Sequence, residues 1–135
     1  MLRRVGGHVA LRWAAVAAWM ALIFFLSAQP HLPDLAPGLP GAEEIGGHLT
    51  AYGILAVLVW WALRGLESKT PATWALLITM LYAATDEFHQ SFVPGRTMTL
   101  EDLVVDLIGA SLGLLLVNWV HLRRLRGRLT ELAGR

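Results

Sequence analysis

The sequence predicts an all-α integral membrane protein, a four-helix bundle with both its N-terminus and its C-terminus in the cytoplasm. Of its 135 residues, 56% are hydrophobic and only 16% are charged, and the mean hydropathy is +0.54. Long apolar segments recur along the whole chain, and a helix that crosses a bilayer needs roughly 20 mostly apolar residues. The basic residues collect beside alternate segment ends, which gives the chain a preferred orientation.

The predicted spans cover about residues 9–28, 45–63, 72–91 and 103–122. The connections between them are short, so we expect one transmembrane domain, residues 1–135, in which consecutive helices run antiparallel. The first segment also has the basic start and apolar centre of a signal peptide. Its cleavage-site pattern is poor and further spans follow, so we expect an uncleaved anchor.

The basic residues orient the predicted helices. With a cytoplasmic N-terminus, ten of the eleven lie on the cytoplasmic side, and the exception is Arg96. The basic tail, residues 123–135, fits a topology anchor better than a patch for anionic lipid, and nothing beyond it suggests nucleic acid. Most acidic residues lie at the opposite, outer end of the spans: Asp34, Glu43, Glu44, Asp86, Glu87, Glu101, Asp102 and Asp106.

Three predicted spans bring polar residues to this outer end. In the second span, Glu44, His48 and Tyr52 recur every four residues and therefore share one helical face. The third span ends in the sequence DEFHQ, residues 86–90. The fourth begins with Thr99 three residues before Asp102, the spacing of a helix N-cap with an acidic partner.

Asp106 lies one helical turn deeper in the fourth span than Asp102 does. Gly109 and Gly113 continue its face in a G-x-x-x-G spacing, which lets a second helix approach closely. A charge inside a span costs at least about 2.5 kcal/mol on insertion scales, and such residues usually have a partner and a function. Arg96, which follows a Pro-Gly turn, is the expected partner, and the imidazoles of His48 and His89 are the other candidates.

Three kinds of site fit these residues. The candidate ligand-binding residues are His48, Tyr52, Gln90, Arg96, Asp102 and Asp106. For acid/base catalysis we expect His89 or His48 to move a proton, oriented by Asp86 or Glu87, while Arg96 holds an anionic head group. The sequence assigns no cofactor; if a metal ion binds, the expected ligands are Asp86, His89, Asp102 and Asp106, with His48 in reserve.

Four stretches combine polar residues with turn-forming or small residues near the ends of the predicted spans: DEFHQSFVPGR at residues 86–96, TLEDLVVDLIGA at 99–110 with Gly113, FLSAQP at 25–30, and GHLTAY at 47–52. Together they resemble the VanZ-like family of small bacterial membrane proteins. One difference is that a Lys expected shortly before the His of the second span is replaced by Glu44 or a neighbour. The resemblance implies an association with resistance to the glycopeptide antibiotic teicoplanin.

The predicted function is binding in an outward-facing polar pocket of the bacterial cytoplasmic membrane. The ligand would be an envelope lipid, a lipid-linked precursor or an amphipathic glycopeptide. Two alternatives remain open: a membrane-embedded, possibly metal-dependent hydrolase or transferase acting on a lipid head group, and a structural polar plug without a ligand. Prolines in residues 31–40, around His31, predict an extended outer loop. The sequence does not indicate an oligomeric state.

Overall fold

The structure, a computed structural model, describes the backbone of residues 2–30 and 41–133. The described residues form four helices and no strand, which confirms the all-α class. The helices are α1 (Leu2–Ser27), α2 (Ala42–Gly65), α3 (Pro71–Gln90) and α4 (Leu100–Ala133). The proline-containing loop around His31, residues 31–40, lies outside the described residues.

The helix boundaries follow from local sequence. Pro71 opens α3, where its missing N–H would have no helical partner anyway. Gly95, with a φ of +83°, supplies the left-handed turn between α3 and α4. Thr99 precedes α4, and its hydroxyl accepts the Asp102 N–H at 3.1 Å, the N-cap that the spacing predicts. Helix α4 continues to Ala133, so most of the basic tail is helical.

Helix α2 lies at the centre of the fold and contacts α1, α3 and α4. Its side chains at Tyr52, Leu55, Ala56, Val59 and Ala62 are at most 1% exposed and form the middle of the core. The closest approach is to α4. A methyl group added at Gly113 would lie 2.5 Å from the Gly53 carbonyl oxygen, and one at Gly109 would overlap the Leu49 carbonyl oxygen. The predicted G-x-x-x-G contact is therefore present and involves α2.

Three of the described helices contain segments long and apolar enough to cross a membrane: Gly7–Ser27, Ala42–Gly65 and Leu100–Glu131. Helix α3, predicted as the third span, does not qualify because charged and polar side chains occupy its last turns. Asp86, Glu87 and Gln90 are nevertheless buried against other helices, so the polar turns of α3 face protein. Its outward face is apolar, with Trp74, Leu77, Leu81 and Phe88 all more than half exposed.

The C-terminal ends of α1 and α3 meet the N-terminal ends of α2 and α4, and we call this region the polar end. Side chains from α1, α2 and α3 bond to one another there, and a second contact joins α2 to α4. The candidate functional site lies at this end.

Candidate functional site

The Asp86 carboxylate connects three helices at the polar end. Its Oδ1 accepts a 2.6 Å hydrogen bond from the Ser27 hydroxyl of α1. Its Oδ2 accepts one from the Tyr52 hydroxyl of α2 at 3.0 Å and one from Gln90 Nε2 at 3.1 Å. Asp86 is 3% exposed, so these donors replace the water that a buried carboxylate would lose. Since both oxygens are occupied, Asp86 serves to hold α1, α2 and α3 in register.

Arg96 extends this network from the α3–α4 connection. Its Nη2 donates to Gln90 Oε1 at 2.7 Å and lies 3.6 Å from Glu44 Oε1. A chain of contacts therefore runs from Glu44 through Arg96 and Gln90 to Asp86. The prediction that Arg96 is the partner of Asp106 is wrong, because the guanidinium bonds to Gln90 on the α1 and α2 side of α3. The partner of Asp106 is His48.

A cavity of about 110 Å³ opens beside this network, between α1, α2 and α3. One water molecule needs only about 10–15 Å³ of such space, so the cavity has room for a small polar group. Ile23 and Leu26 of α1 form its apolar side. Its polar lining includes Ser27, His48, Tyr52, Asp86, Gln90 and Arg96.

A second set of polar side chains lies behind His48, between α2, α3 and α4. His48 Nδ1 is 2.9 Å from Asp106 Oδ1 in a buried contact. Glu87 Oε2 accepts the Thr99 N–H at 3.3 Å. Atoms of His48, Glu87 and Asp106 that can bind a metal all lie within 4.8 Å of one another. We call these three residues the acid–imidazole cluster.

The predicted catalytic residues of α3 point in different directions. Asp86 faces α1 and α2, and Glu87 faces the start of α4. The His89 ring stacks on Phe24 of α1, with centroids 4.1 Å apart, and its buried Nδ1 makes no hydrogen bond to the residues that the structure describes. Successive helical residues are about 100° apart around the axis, so neighbours in sequence meet different helices. The structure does not unite His89, Asp86 and Glu87 in one catalytic arrangement.

The predicted residues thus divide between two places. Tyr52, Gln90 and Arg96 belong to the cavity, Asp106 belongs to the acid–imidazole cluster, and His48 takes part in both. Asp102 bonds to Thr99 at the N-terminus of α4. Of the four predicted metal ligands Asp86, His89, Asp102 and Asp106, the cluster contains Asp106, and it also contains the reserve ligand His48.

Sequence reasoning missed two contributions to the site. Ser27, the last residue of α1, donates a hydrogen bond to Asp86. Gly47 lines the cavity, and a methyl group added there would meet no atom of the described part of the chain within 4 Å. Two sequence features could have indicated these contributions. Ser27 is a polar residue at the end of an apolar span, and Gly47 directly precedes His48 in the next span.

Comparison with known proteins identifies the family. The chain is 29% identical over 121 residues to the uncharacterised protein C11E3.10 of Schizosaccharomyces pombe, an alignment covering 87% of this chain and 71% of the yeast protein. No solved structure matches the chain. The VanZ/LLP1 family model matches residues 42–121, from the start of α2 through most of α4, and so includes His48, Asp86, Glu87, Arg96 and Asp106. The chain therefore belongs to the VanZ/LLP1 family, a family of membrane proteins.

Proposed function

We propose that the cavity beside Asp86 binds the polar head group of an amphipathic cell-envelope molecule. The observation that carries this proposal is the composition of the cavity wall: apolar Ile23 and Leu26 lie on one side, and the Asp86 network lies on the other. An amphipathic molecule needs such a pair of surfaces, one for its chain and one for its head group.

The charges of the wall indicate which head group fits. Carboxylates of Glu43, Glu44 and Asp86 line the cavity, against a single guanidinium, that of Arg96. An acid-rich wall disfavours a phosphate in direct contact with it and favours contact with a group that donates hydrogen bonds, such as sugar hydroxyls or an amine. Glycolipids, lipid-linked sugar precursors and acylated glycopeptides of the teicoplanin type all carry such donors.

We also propose a membrane orientation, in which all four helices cross the bilayer, both termini are cytoplasmic and the polar end faces outward. The apolar outward face of α3 supports a fourth crossing, and the distribution of basic residues supports the direction. The yeast relative means that family membership alone does not indicate a bacterial source. A bacterial cytoplasmic membrane and a role in glycopeptide resistance therefore belong to the proposal.

Two glycines provide a matched test of binding. Added methyl groups at Gly46 and Gly47 meet no atom of residues 7–30 or 41–131 within 4 Å, but only Gly47 lines the cavity. Both residues lie in the second turn of α2, so a leucine changes helix propensity equally at each. Gly47→Leu should fill the cavity mouth, and Gly46→Leu should leave it open.

The measurement is equilibrium binding to purified full-length protein of three probes: a glycosyl diacylglycerol, a lipid-linked disaccharide and teicoplanin. We expect at least one probe to bind, Gly47→Leu to weaken that binding at least tenfold and Gly46→Leu to leave it unchanged. The probe that binds identifies the source of the head group. Equal binding by both variants, or no saturable binding of any probe, would overturn the proposal.

A second candidate function, hydrolysis of a bound head group, is favoured by the contact between His48 and Asp106. His48 lines the cavity, and a carboxylate 2.9 Å from its ring is the arrangement that orients a histidine as a general base. Incubation with radiolabelled envelope lipids should then give a product that His48→Gln does not form. An unchanged lipid pool with the wild-type protein would exclude this candidate for the lipids tested.

A further inference from the structure

We propose that the acid–imidazole cluster of His48, Glu87 and Asp106 binds one divalent transition-metal ion. The cluster adjoins the cavity and shares His48 with it, but its metal binding is tested without a head-group ligand. Each of three helices supplies one residue: α2 supplies His48, α3 supplies Glu87 and α4 supplies Asp106. Ligands from facing helices of this kind are typical of metal sites in helical proteins.

The three side chains of the cluster are buried. Glu87 and Asp106 are 0% exposed and His48 is 9% exposed. If both acids are ionised, two carboxylates with a single imidazole carry an excess of negative charge that their burial between α2, α3 and α4 keeps from water. A buried charge of this kind needs a counter-charge, and either a proton or a metal ion can supply it.

One carboxylate oxygen of each acid in the cluster lacks a hydrogen-bond donor. Among the described residues, Glu87 Oε1 and Asp106 Oδ2 are buried without a hydrogen-bond partner. Buried polar atoms are almost always paired, so two unpaired carboxylate oxygens in one cluster indicate a ligand between them. The other oxygen of each carboxylate has a hydrogen-bond partner that orients the group. Glu87 Oε2 accepts the Thr99 N–H, and Asp106 Oδ1 contacts His48 Nδ1.

The donor set indicates the kind of ion. One imidazole nitrogen and two carboxylate oxygens suit Zn²⁺ or Mn²⁺ better than a soft ion that prefers thiolates. Around a tetrahedral ion with bonds of about 2.0–2.2 Å, neighbouring ligand atoms lie roughly 3.5 Å apart. In the structure the candidate ligand atoms lie within 4.8 Å of one another, so they would move closer together around a bound ion.

A shared proton is the competing explanation. If one carboxyl group is protonated, it can donate to the other acid and satisfy both free oxygens without a metal. The two explanations differ in a simple observable, because only the first gives saturable metal binding.

The test uses the purified full-length protein, stripped with a chelator and titrated by equilibrium dialysis with Zn²⁺ alone and with Mn²⁺ alone. We expect the wild type to bind one equivalent of at least one ion. Glu87→Gln and Asp106→Asn should each weaken that binding at least 100-fold, since loss of a second-shell partner alone costs about 10- to 100-fold. Glu101→Gln, an exposed acid on the same helix as Asp106, is the control and should bind as the wild type does.

Glu87→Asp keeps the test informative if the uncharged variants do not fold. It keeps the charge but withdraws the carboxylate by one methylene group, so it should also weaken binding. The absence of saturable binding by the wild type would overturn the proposal whatever the variants do. Wild-type affinity in a folded Glu87→Gln or Asp106→Asn protein would also overturn it.

Discussion

His48 of α2 lies 2.9 Å from Asp106 of α4, next to the closest packing between those two helices. Gly109 follows Asp106 by one turn and packs against the Leu49 backbone, adjacent in sequence to His48. Close backbone packing and a buried polar contact therefore fix the same pair of helices. Disruption of either should loosen the polar end.

We predict strong energetic coupling between His48 and Asp106. Removal of one partner of a buried pair costs about 3–5 kcal/mol because the other is left uncompensated. Each of His48→Phe and Asp106→Leu should therefore destabilise strongly, whereas the double variant should lose less than the sum. A double-mutant cycle from reversible unfolding in micelles, with chelator present, measures the coupling. Additive losses would show that the two side chains do not depend on each other.

The contact between α2 and α4 predicts opposite effects of two alanine substitutions in α4. Gly109→Ala places a methyl group against the Leu49 carbonyl oxygen and should destabilise by about 1–3 kcal/mol, as overpacking does. Gly127→Ala meets no atom within 4 Å, so the better helix propensity should stabilise by up to about 1 kcal/mol. Thermal unfolding of both variants shows whether each substitution stabilises or destabilises the protein. Equal changes in stability would contradict the close approach of α2 and α4 at Gly109.

The Asp86 network predicts different costs for two tyrosine hydroxyl groups. The Tyr52 hydroxyl donates to the buried Asp86 carboxylate, whereas the Tyr82 hydroxyl donates to the Met20 carbonyl group. A hydrogen bond to a charged group contributes about 1.5–3 kcal/mol and a neutral one about 0.5–1.5 kcal/mol. Tyr52→Phe should therefore destabilise more than Tyr82→Phe in the same unfolding assay. The reverse order would mean that Asp86 is not the charged acceptor.

Cysteine labelling tests the proposed crossing of α3. The chain has no cysteine, so single substitutions at exposed Lys69, before α3, and exposed Ser91, after it, give unambiguous signals. In right-side-out vesicles, an impermeant maleimide should label Ser91→Cys directly and Lys69→Cys only after permeabilisation. Labelling of both from one side would show that α3 does not cross. The opposite pattern would reverse the orientation.

Much of the fold could be predicted from the sequence because apolar segment length dictates where helices form. The predicted second span, residues 45–63, lies within α2 (Ala42–Gly65), and the predicted third, residues 72–91, nearly coincides with α3 (Pro71–Gln90). The helical continuation of α4 through the basic tail was not predicted, because apolar length indicates where a span ends and not where the helix ends.

The site was less predictable because helix rotation depends on packing partners. The sequence places Asp86 and Glu87 side by side, but Asp86 bonds to Ser27 and Tyr52 whereas Glu87 lies near His48 and accepts the Thr99 N–H. No local pattern in α3 specifies which acid faces which helix. The same uncertainty led to the wrong partner for Asp106.

The position of a bound head group is the decisive test of head-group binding beside Asp86. A glycolipid with a photoactivatable group on its sugar, crosslinked to the full-length protein in bilayers and mapped by peptide mass spectrometry, reports that position. We predict crosslinks at the cavity wall, within residues 43–52 and 86–96, that Gly47→Leu abolishes and Gly46→Leu preserves. Crosslinks spread instead along the exposed apolar face of α3, at Leu77 and Leu81, would contradict a head-group site beside Asp86.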